Sequence, residues 1–245
     1  NWIFFKCFVP LVVHFRVDMV FSLVDGLSKI KPIVGAAKKQ GMAALALSDQ
    51  MNMCGMVRFY SACNEGGIKP IVAADLWAQH PLFPGEANRL LVLAMDNTGH
   101  QNLTMLISKA YLRGHVDGKP QIEHDWLAEH AQGLIVLSGG REGPLGKALL
   151  KGNQASAAQL VEFYQTHFPD RFFLELIRTN RPDEDQYIQL AVTLAEQTGL
   201  PVVATNEVVF LTQDDFSAHE IRVAIHDGFT LEDKRRPKIY SETQY

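Results

Sequence analysis

The chain has 245 residues, a length that suits one large domain or two small ones. Hydrophobic residues make up 47% of it, which excludes a disordered or collagenous chain, and three cysteines are too few for a disulfide-stapled one. Lys and Arg number 23 against 27 Asp and Glu, so the formal net charge is −4. The chain therefore lacks the basic excess expected of a self-sufficient nucleic-acid binder.

The cysteines and the N-terminus bear on the cellular compartment. Cys7, Cys54 and Cys63 are an odd number without a C-x-x-C pair, which favours a reducing compartment. The apolar residues 1–13 are interrupted by a lysine and a proline and are too short to span a bilayer. We therefore expect a soluble protein with no membrane partner. The first residue is not Met and the last segment is polar, so we also expect a fragment.

Short apolar runs alternate with amphipathic helical patterns along the chain. Most runs are almost continuously apolar, as expected for strands buried on both faces of a parallel sheet. Seven such strands without a reversal signal predict an α/β architecture, and they favour a barrel over an open sheet. The stretch His80–Asn88 is predicted as a loop between two strands. The predicted strands are Leu11–Val17, Ala44–Leu47, Ile68–Ala73, Leu90–Met95, Leu134–Leu137, Phe172–Ile177 and Val202–Thr205.

Helices are predicted where apolar residues recur at i, i+3, i+4 and i+7. The first follows Ser28 as a possible N-cap and closes at Gly41. Three further helices are predicted over Ala157–Phe168, from Pro182 to Gly199, and over Asp214–Ile225.

Acidic residues follow several of the predicted strands. In a β/α barrel the C-terminal ends of the strands carry the functional groups, so these acids would converge on one mouth. Oxygen-rich clusters suit Mg²⁺ or Mn²⁺, and two or three such ions would suit phosphoester hydrolysis. Each acid could instead cap the helix that follows it, and both interpretations remain open. The five acids are Asp18, Asp25, Asp49, Asp75 and Glu207.

The remaining candidate motifs favour structural roles. His14 lies alone in an apolar strand, and His219 and His226 stand seven residues apart, which is not a usual chelating spacing. The glycine-rich stretch Leu137–Gly143 is typical of a tight turn and matches no phosphate-binding loop. The basic run Lys234–Lys238 suits a solvated loop or a phosphate contact. No Ser–His–Asp or Cys–His signature indicates a covalent nucleophile.

Eight stretches, taken in order and spacing, carry a resemblance to a known family. They are Val13–Asp18 with Phe21–Leu27, Ala44–Asp49 with Asn52–Gly55, Gly67–Asp75, Asn102–Tyr111, Leu137–Gly140, Phe173–Arg178, Val203–Glu207 and Ala218–Arg222. Together they resemble the polymerase-and-histidinol-phosphatase (PHP) domain at the start of bacterial DNA polymerase III α subunits, of the gammaproteobacterial type. The resemblance implies a PHP barrel over residues 13–230, a C-terminal extension over 231–245 towards a polymerase core, and an N-terminal segment 1–12 of uncertain status.

The family fold is a distorted seven-stranded β/α barrel similar to a TIM barrel. Active members hold metal ions at the mouth through histidine-rich motifs and hydrolyse phosphoesters. Mapped onto this sequence, the family's HxH pair falls on Arg16 and Asp18, and the acid that follows is Asp25. The remaining ligand positions fall on Asp49-Gln50, Asp75, Arg89, Gly140, Glu207 and Val209.

The resemblance therefore implies a degenerate metal site. Four imidazole ligands are replaced by Arg16, Gln50, Arg89 and Val209, and arginine stays protonated at any relevant pH. We expect an ion-pair network in place of metal ions, and no hydrolytic activity. The alternative is that the remaining acids still bind hard cations, and the residues concerned would be Asp18, Asp25, Asp75 and Glu207.

The resemblance also implies a function for the intact protein. It would be a cytoplasmic DNA-directed DNA polymerase whose Mg²⁺-dependent nucleotidyl transfer lies outside this chain, so no cofactor and no catalytic residue are expected here. Its partners would be the rest of the α subunit, the proofreading exonuclease (ε) subunit docked on this domain, and DNA through the intact polymerase. Two alternatives remain: an active metal-dependent phosphoesterase or 3′–5′ exonuclease, and a free-standing barrel enzyme acting on sugar phosphates.

Overall fold

The computed structural model describes residues 13–19, 22 and 26–245. Within these residues helices and strands alternate over much of the chain, and no helix combines the length and apolarity needed to cross a membrane. The helices are α1 (Ile30–Lys39), α2 (Met56–Gly66), α3 (Asn97–Arg113), α4 (His124–Glu129), α5 (Pro144–Leu150), α6 (Gln154–His167), α7 (Glu184–Thr198) and α8 (Phe216–Asp227). The strands are β1 (Ala44–Leu47), β2 (Lys69–His80), β3 (Phe83–Ala94), β4 (His115–Val116), β5 (Lys119–Pro120), β6 (Ile122–Glu123), β7 (Leu134–Leu137), β8 (Phe172–Ile177) and β9 (Val202–Thr205).

The main sheet follows the order β1-β2-β3-β7-β8-β9, with β6 paired to β2. The segment from His14 to Val17 bridges Leu45 in the edge strand β1, and it bridges Val208 just after β9 at the other edge. It belongs to the predicted strand Leu11–Val17, whose first two residues lie outside the described residues. The described residues 13–17 form isolated bridges, so the prediction of a continuous strand is wrong there. Because it contacts both ends of the sheet, this segment draws the sheet into a distorted barrel, as the fold-class prediction requires.

The prediction of a loop over His80–Asn88 is wrong. The strands β2 and β3 run antiparallel as a hairpin that turns between His80 and Phe83, and β3 is also antiparallel to β7. The sheet is therefore mixed, whereas the sequence predicted a parallel one. Pro84 and Gly85 caused the error, because they indicate a loop in isolation but here lie in the outer half of a long strand.

Helix ends depart from the predictions by a few residues. Lys29 is the N-cap of α1 and makes no side-chain capping bond, so the prediction of Ser28 as the cap is wrong. The helix α7 begins at Glu184, after Asp183 in the left-handed conformation, and ends at Gly199 as predicted. The predicted helix over Asp214–Ile225 begins as a 3₁₀ turn before α8.

Successive side chains of each strand point alternately to an outer core and to an inner core. On β3, Leu90 and Val92 face the larger core beneath the helices α3 to α6, where Tyr164 stacks on Phe172 with ring centroids 4.0 Å apart. Leu91 belongs to a small inner cluster. The full inner cluster comprises Ala73, Leu91, Leu93 and Leu137, with Phe15, Ile71, Ile135, Phe173 and Val203 against it.

The glycine-rich stretch after β7 forms a compact turn. Gly139 adopts a φ of +77°, and a Cβ added there would overlap the carbonyl oxygen of Arg89. Gly140 also has positive φ, and a Cβ there would press on Ile177. The prediction of a tight turn is confirmed, and the turn locks the backbone of β3 next to Arg89.

We expect Gly139→Ala to destabilise the fold strongly. The change costs about 1–3 kcal/mol for a left-handed alanine, and the overlap with the Arg89 backbone adds to it. Gly152→Ala is the matched control, because Gly152 also has positive φ (+68°) but open space around its Cβ position. Urea denaturation of both variants separates the two contributions, and equal losses of stability would contradict the close approach.

Candidate functional site at the barrel mouth

The alternation that buries the inner core also points charged residues into the barrel mouth. Asp75 lies two residues after Ala73 on β2, and Arg89 two residues before Leu91 on β3. Glu175 follows Phe173 at the same spacing on β8. Strand periodicity therefore places these three side chains on the inner face, directly above the small apolar cluster.

Arg16 lies at the centre of the mouth and is 1% exposed. Its Nε and Nη2 donate to the two carboxylate oxygens of Glu175 at 3.0 and 2.9 Å, which is a bidentate pair. Its Nη1 lies 2.7 Å from Oδ2 of Asp75. Thr205 adds a hydroxyl bond of 2.7 Å to Glu175. One guanidinium thus holds the carboxylates of two strands together.

Arg89 provides the second centre of the network. It donates to Asp75 and to Glu207, and its Nη1 also lies 3.1 Å from Glu142. Asp75 is therefore shared by two guanidinium groups, from Arg16 and Arg89.

Glu207 closes the network on the side of the last strand. Besides Arg89, it contacts Nη2 of Arg181 at 2.7 Å and accepts a bond of 2.9 Å from Nε2 of Gln244. Ser241 lies in the same turn as Gln244 and donates to the carbonyl oxygen of Thr179. The end of the predicted extension 231–245 thus packs on the barrel mouth.

The pKa values follow from burial and from the neighbouring charges. Burial alone would raise the pKa of Glu207, but Arg89, Arg181 and Arg16 outweigh it and lower that pKa to about 2. Burial likewise opposes the charged forms of Arg16 and Arg89, yet the carboxylates around them raise both pKa values. The pKa of Glu142 is also lowered, against its burial, by Arg89 and Arg181. Arg16, Arg89, Glu142 and Glu207 are therefore held in their charged forms near neutral pH.

Three other predicted site residues, Asp18, Asp49 and Gln50, lie in a cluster with Ser22, and the backbone of Gln50 bridges that of Asp75. Oδ1 of Asp49 accepts the backbone N–H groups of Met19 and Ser22 and the Ser22 hydroxyl, at 2.8 to 3.1 Å. The same hydroxyl donates to Asp18 at 3.3 Å. Burial, only partly opposed by these donors, raises the pKa of Asp49. Gln50 belongs to this cluster through its backbone N–H, which donates to the Ser22 hydroxyl.

Two further predicted positions, Val209 and Gly140, take part through their backbone. Val209 is fully buried and donates its N–H to the carbonyl oxygen of Gln244. Gly140 belongs to the compact turn after β7. Asp25 lies outside the described residues, so its place in the mouth stays a prediction.

The other polar motifs are found away from the mouth. Asp96 follows β3 but caps α3 by accepting from the N–H of Gly99. His219 is buried against the rings of Phe210 and Tyr240, and the exposed His226 contacts Asp227. In the basic run, Arg236 is buried and pairs with Glu220 at 2.6 Å, while Arg235 pairs with Asp233.

Sequence reasoning missed several members of the network. Glu175 is the only charged residue of an otherwise apolar strand, and this isolation is the signal that could have found it. Arg181 and Glu142 lie in loops, and Gln244 in the C-terminal turn, where no periodicity indicates their direction.

The network does not fit a metal ion. In the part of the chain that the structure describes, no three or more His, Cys, Asp or Glu side chains are arranged to hold one. The carboxylates of Asp75 and Glu207 are turned towards guanidinium groups, which occupy the space between them. A cation there would first have to displace Arg89.

Residues 14–179 of the sequence match the family described as the PHP domain. The chain belongs to the PHP domain family. Curated relatives of this PHP domain include the DNA polymerase III subunit alpha of Vibrio cholerae, 58% identical over 236 residues, and that of Escherichia coli K12, 57% identical over the same length. That of Pseudomonas aeruginosa is 46% identical over 233 residues. These matches cover 95 to 96% of the chain but only 20% of each relative, so the chain spans about a fifth of their length.

Solved structures agree on the fold of the PHP domain. A putative metal-dependent phosphoesterase from Bifidobacterium adolescentis superposes with a TM-score of 0.52 at 14% identity, covering 80% of this chain and 86% of the other. An amidohydrolase from Chromobacterium violaceum gives a TM-score of 0.52 at 11% identity, covering 86% and 96%. At such identities the likeness concerns the fold alone.

We expect Asp75→Asn to cost about 3–5 kcal/mol of unfolding free energy, because it leaves two buried guanidinium groups without their shared carboxylate. Asp185→Asn is the matched control, because it breaks an ion pair in which Arg178 is 73% and Asp185 78% exposed. This change should cost less than about 1 kcal/mol. Urea denaturation at neutral pH measures both. A similar loss in the two variants would mean that the buried network adds no stability.

Acid should destabilise the domain through Glu207. Its pKa is lower in the folded chain (about 2) than its ordinary value of 4.5, so protons bind the unfolded chain more readily. The stabilisation is complete above about pH 4.5 and is lost as the pH falls towards 2, by roughly 3 kcal/mol in all.

The variant Glu207→Gln isolates this contribution. Burial also lowers the pKa values of His80 and His124, which add acid sensitivity of their own, but they do so equally in both proteins. Unfolding free energy measured from pH 6 to pH 3 should fall less steeply below pH 4.5 in the variant. Parallel curves would contradict the lowered pKa.

Proposed function

We propose that this chain serves as the PHP region of a DNA-directed DNA polymerase, a DNA polymerase III α subunit. Identity of 46 to 58% over nearly the whole chain to such subunits supports the proposal. Nucleotidyl transfer would use Mg²⁺ ions held by carboxylates of a separate polymerase domain. No residue of the chain is assigned to that reaction.

Within that polymerase, we propose that the PHP mouth is hydrolytically inactive. The observation that carries this proposal is the contact of Arg89 with both Asp75 and Glu207. A guanidinium keeps its charge at all relevant pH values, and it supplies the positive charge that metal ions supply in active members of the family. The carboxylates then stabilise the barrel and are not available to position an attacking water.

The role left to an inactive barrel is that of a scaffold. It would pack against the polymerase core in the cytoplasm and dock the proofreading exonuclease (ε) subunit, while DNA would be bound by the intact polymerase. The net charge of −4 supports a surface that faces proteins and not duplex DNA.

A second candidate function is an active metal-dependent phosphoesterase or 3′–5′ exonuclease. It is favoured by Asp49, whose Oδ2 is buried and accepts no hydrogen bond from the described residues. An acceptor oxygen without a donor suits a cation, and Ser22 links Asp49 to Asp18.

Metal titration distinguishes the two candidates. For the inactive scaffold we expect no bound metal by elemental analysis, no phosphatase activity, and an unchanged Tm in micromolar Mn²⁺ or Zn²⁺. An active site would gain about 2.7 kcal/mol at a metal concentration of 100 Kd, which is readily seen as a rise in Tm. Such a rise, accompanied by phosphoester hydrolysis, would favour the second candidate.

A variant with restored imidazoles completes the test. The combination R16H, Q50H, R89H and V209H should bind metal in calorimetry where the unchanged chain does not. The control R16Q with R89Q removes the same guanidinium groups without adding ligands, so it reports binding by the freed carboxylates alone. If the folded histidine variant binds no more metal than this control, the ligand positions inferred from the family are wrong.

A further inference from the structure

The helices α1 and α2 form an open trough between them. Its floor and walls include Ile30, Lys31 and Pro32 from the start of α1, and Val57, Arg58 and Ala62 from α2. We call it the α1–α2 trough. Its volume is about 660 Å³, within the range of roughly 300–1,000 Å³ that is typical of binding clefts.

The floor of the trough is apolar and exposed. Val57 retains 69% of its accessible surface, although it lies in the first turn of α2 and not in a loop. Val57, Ser61 and Glu65 recur every four residues, so one face of α2 runs along the trough. Burial of this valine and of Pro32 under another chain would remove apolar surface from water.

The rim of the trough is basic, in contrast to the whole chain. Lys29, Lys31 and Arg58 surround it, and Glu65 is the one acid in its lining. Among the described residues none forms an ion pair with these three cations. A local excess of positive charge on a protein with a net charge of −4 attracts an acidic partner.

The start of α1 adds to this attraction. Its N-cap, Lys29, makes no side-chain capping bond, and its first turn contains no acidic residue. The partial positive charge of a helix N-terminus favours a carboxylate, and here no side chain of the helix's own first turn supplies one. The same end of α1 forms part of the trough wall.

We propose that the α1–α2 trough is a docking site for an acidic, amphipathic helical segment of a partner protein. The apolar side chains of the segment would cover Val57 and Pro32, and its carboxylates would face Lys29, Lys31 and Arg58. The apolar floor favours a protein over nucleic acid, whose backbone would use the cations and leave the floor exposed. The proposal does not depend on the polymerase assignment.

Peptide selection tests the proposal without knowledge of the partner. Random peptides of about 16 residues, long enough for four helical turns, are displayed on phage and selected on the 245-residue chain. The enriched peptides should be acidic and carry apolar residues at helical spacing. Val57→Asp and Arg58→Glu should each weaken binding of the best peptide at least about tenfold, because one removes the apolar contact and the other reverses a rim charge.

The helix α3 supplies matched controls. Leu112 is 81% exposed and Arg113 is exposed, so Leu112→Asp and Arg113→Glu make the same changes on another surface and should leave binding unaltered. Failure to enrich acidic peptides, or equal binding by Val57→Asp, would overturn the proposal. So would binding of duplex DNA that Arg58→Glu weakens and Val57→Asp does not. Self-association in sedimentation that Val57→Asp abolishes would also overturn it, by making a second copy the occupant.

Discussion

One carboxylate shared by two arginines is the interaction on which the barrel mouth depends. The Asp75 carboxylate forms ion pairs with Arg16 and Arg89. Arg16 pairs in turn with Glu175, and Arg89 with Glu207. These residues come from the N-terminal segment, from β2, β3 and β8, and from the loop after β9. Each charge is buried and would be costly alone, so none can be removed without leaving another uncompensated.

The same network compensates the charges of carboxylates that converge at the mouth of this PHP barrel. In an active metal site, cations neutralise converging carboxylates that would otherwise repel one another. Here guanidinium groups provide that neutralisation from within the chain, and they add directional bonds such as the bidentate contact of Arg16 with Glu175. The guanidinium of Arg89 lies between the carboxylates of Asp75 and Glu207. This supports the proposed scaffold role.

The two surfaces of interest have opposite character. The charged groups of the mouth are paired with one another, and the turn containing Gln244 packs over one side of it. The α1–α2 trough is open, with apolar residues exposed and cations that no described acid engages. The proposed scaffold role would act through such outer faces, because helices on a β/α barrel can change their exposed side chains without disturbing the sheet.

Periodicity in the sequence by itself indicated most of the strands and helices, and it placed Asp75 and Glu207 at strand ends, because these are local properties. The family and the site positions Arg16 and Arg89 came from the resemblance to PHP domains. The sequence pattern misjudged the β2–β3 hairpin, since Pro84 and Gly85 indicate a loop unless a partner strand extends past them. Which carboxylate meets which guanidinium was decided only by the tertiary structure. Arg16 and Glu175 lie 159 residues apart, and their contact depends on closure of the sheet by the segment around His14 and Val17, which no local pattern specifies.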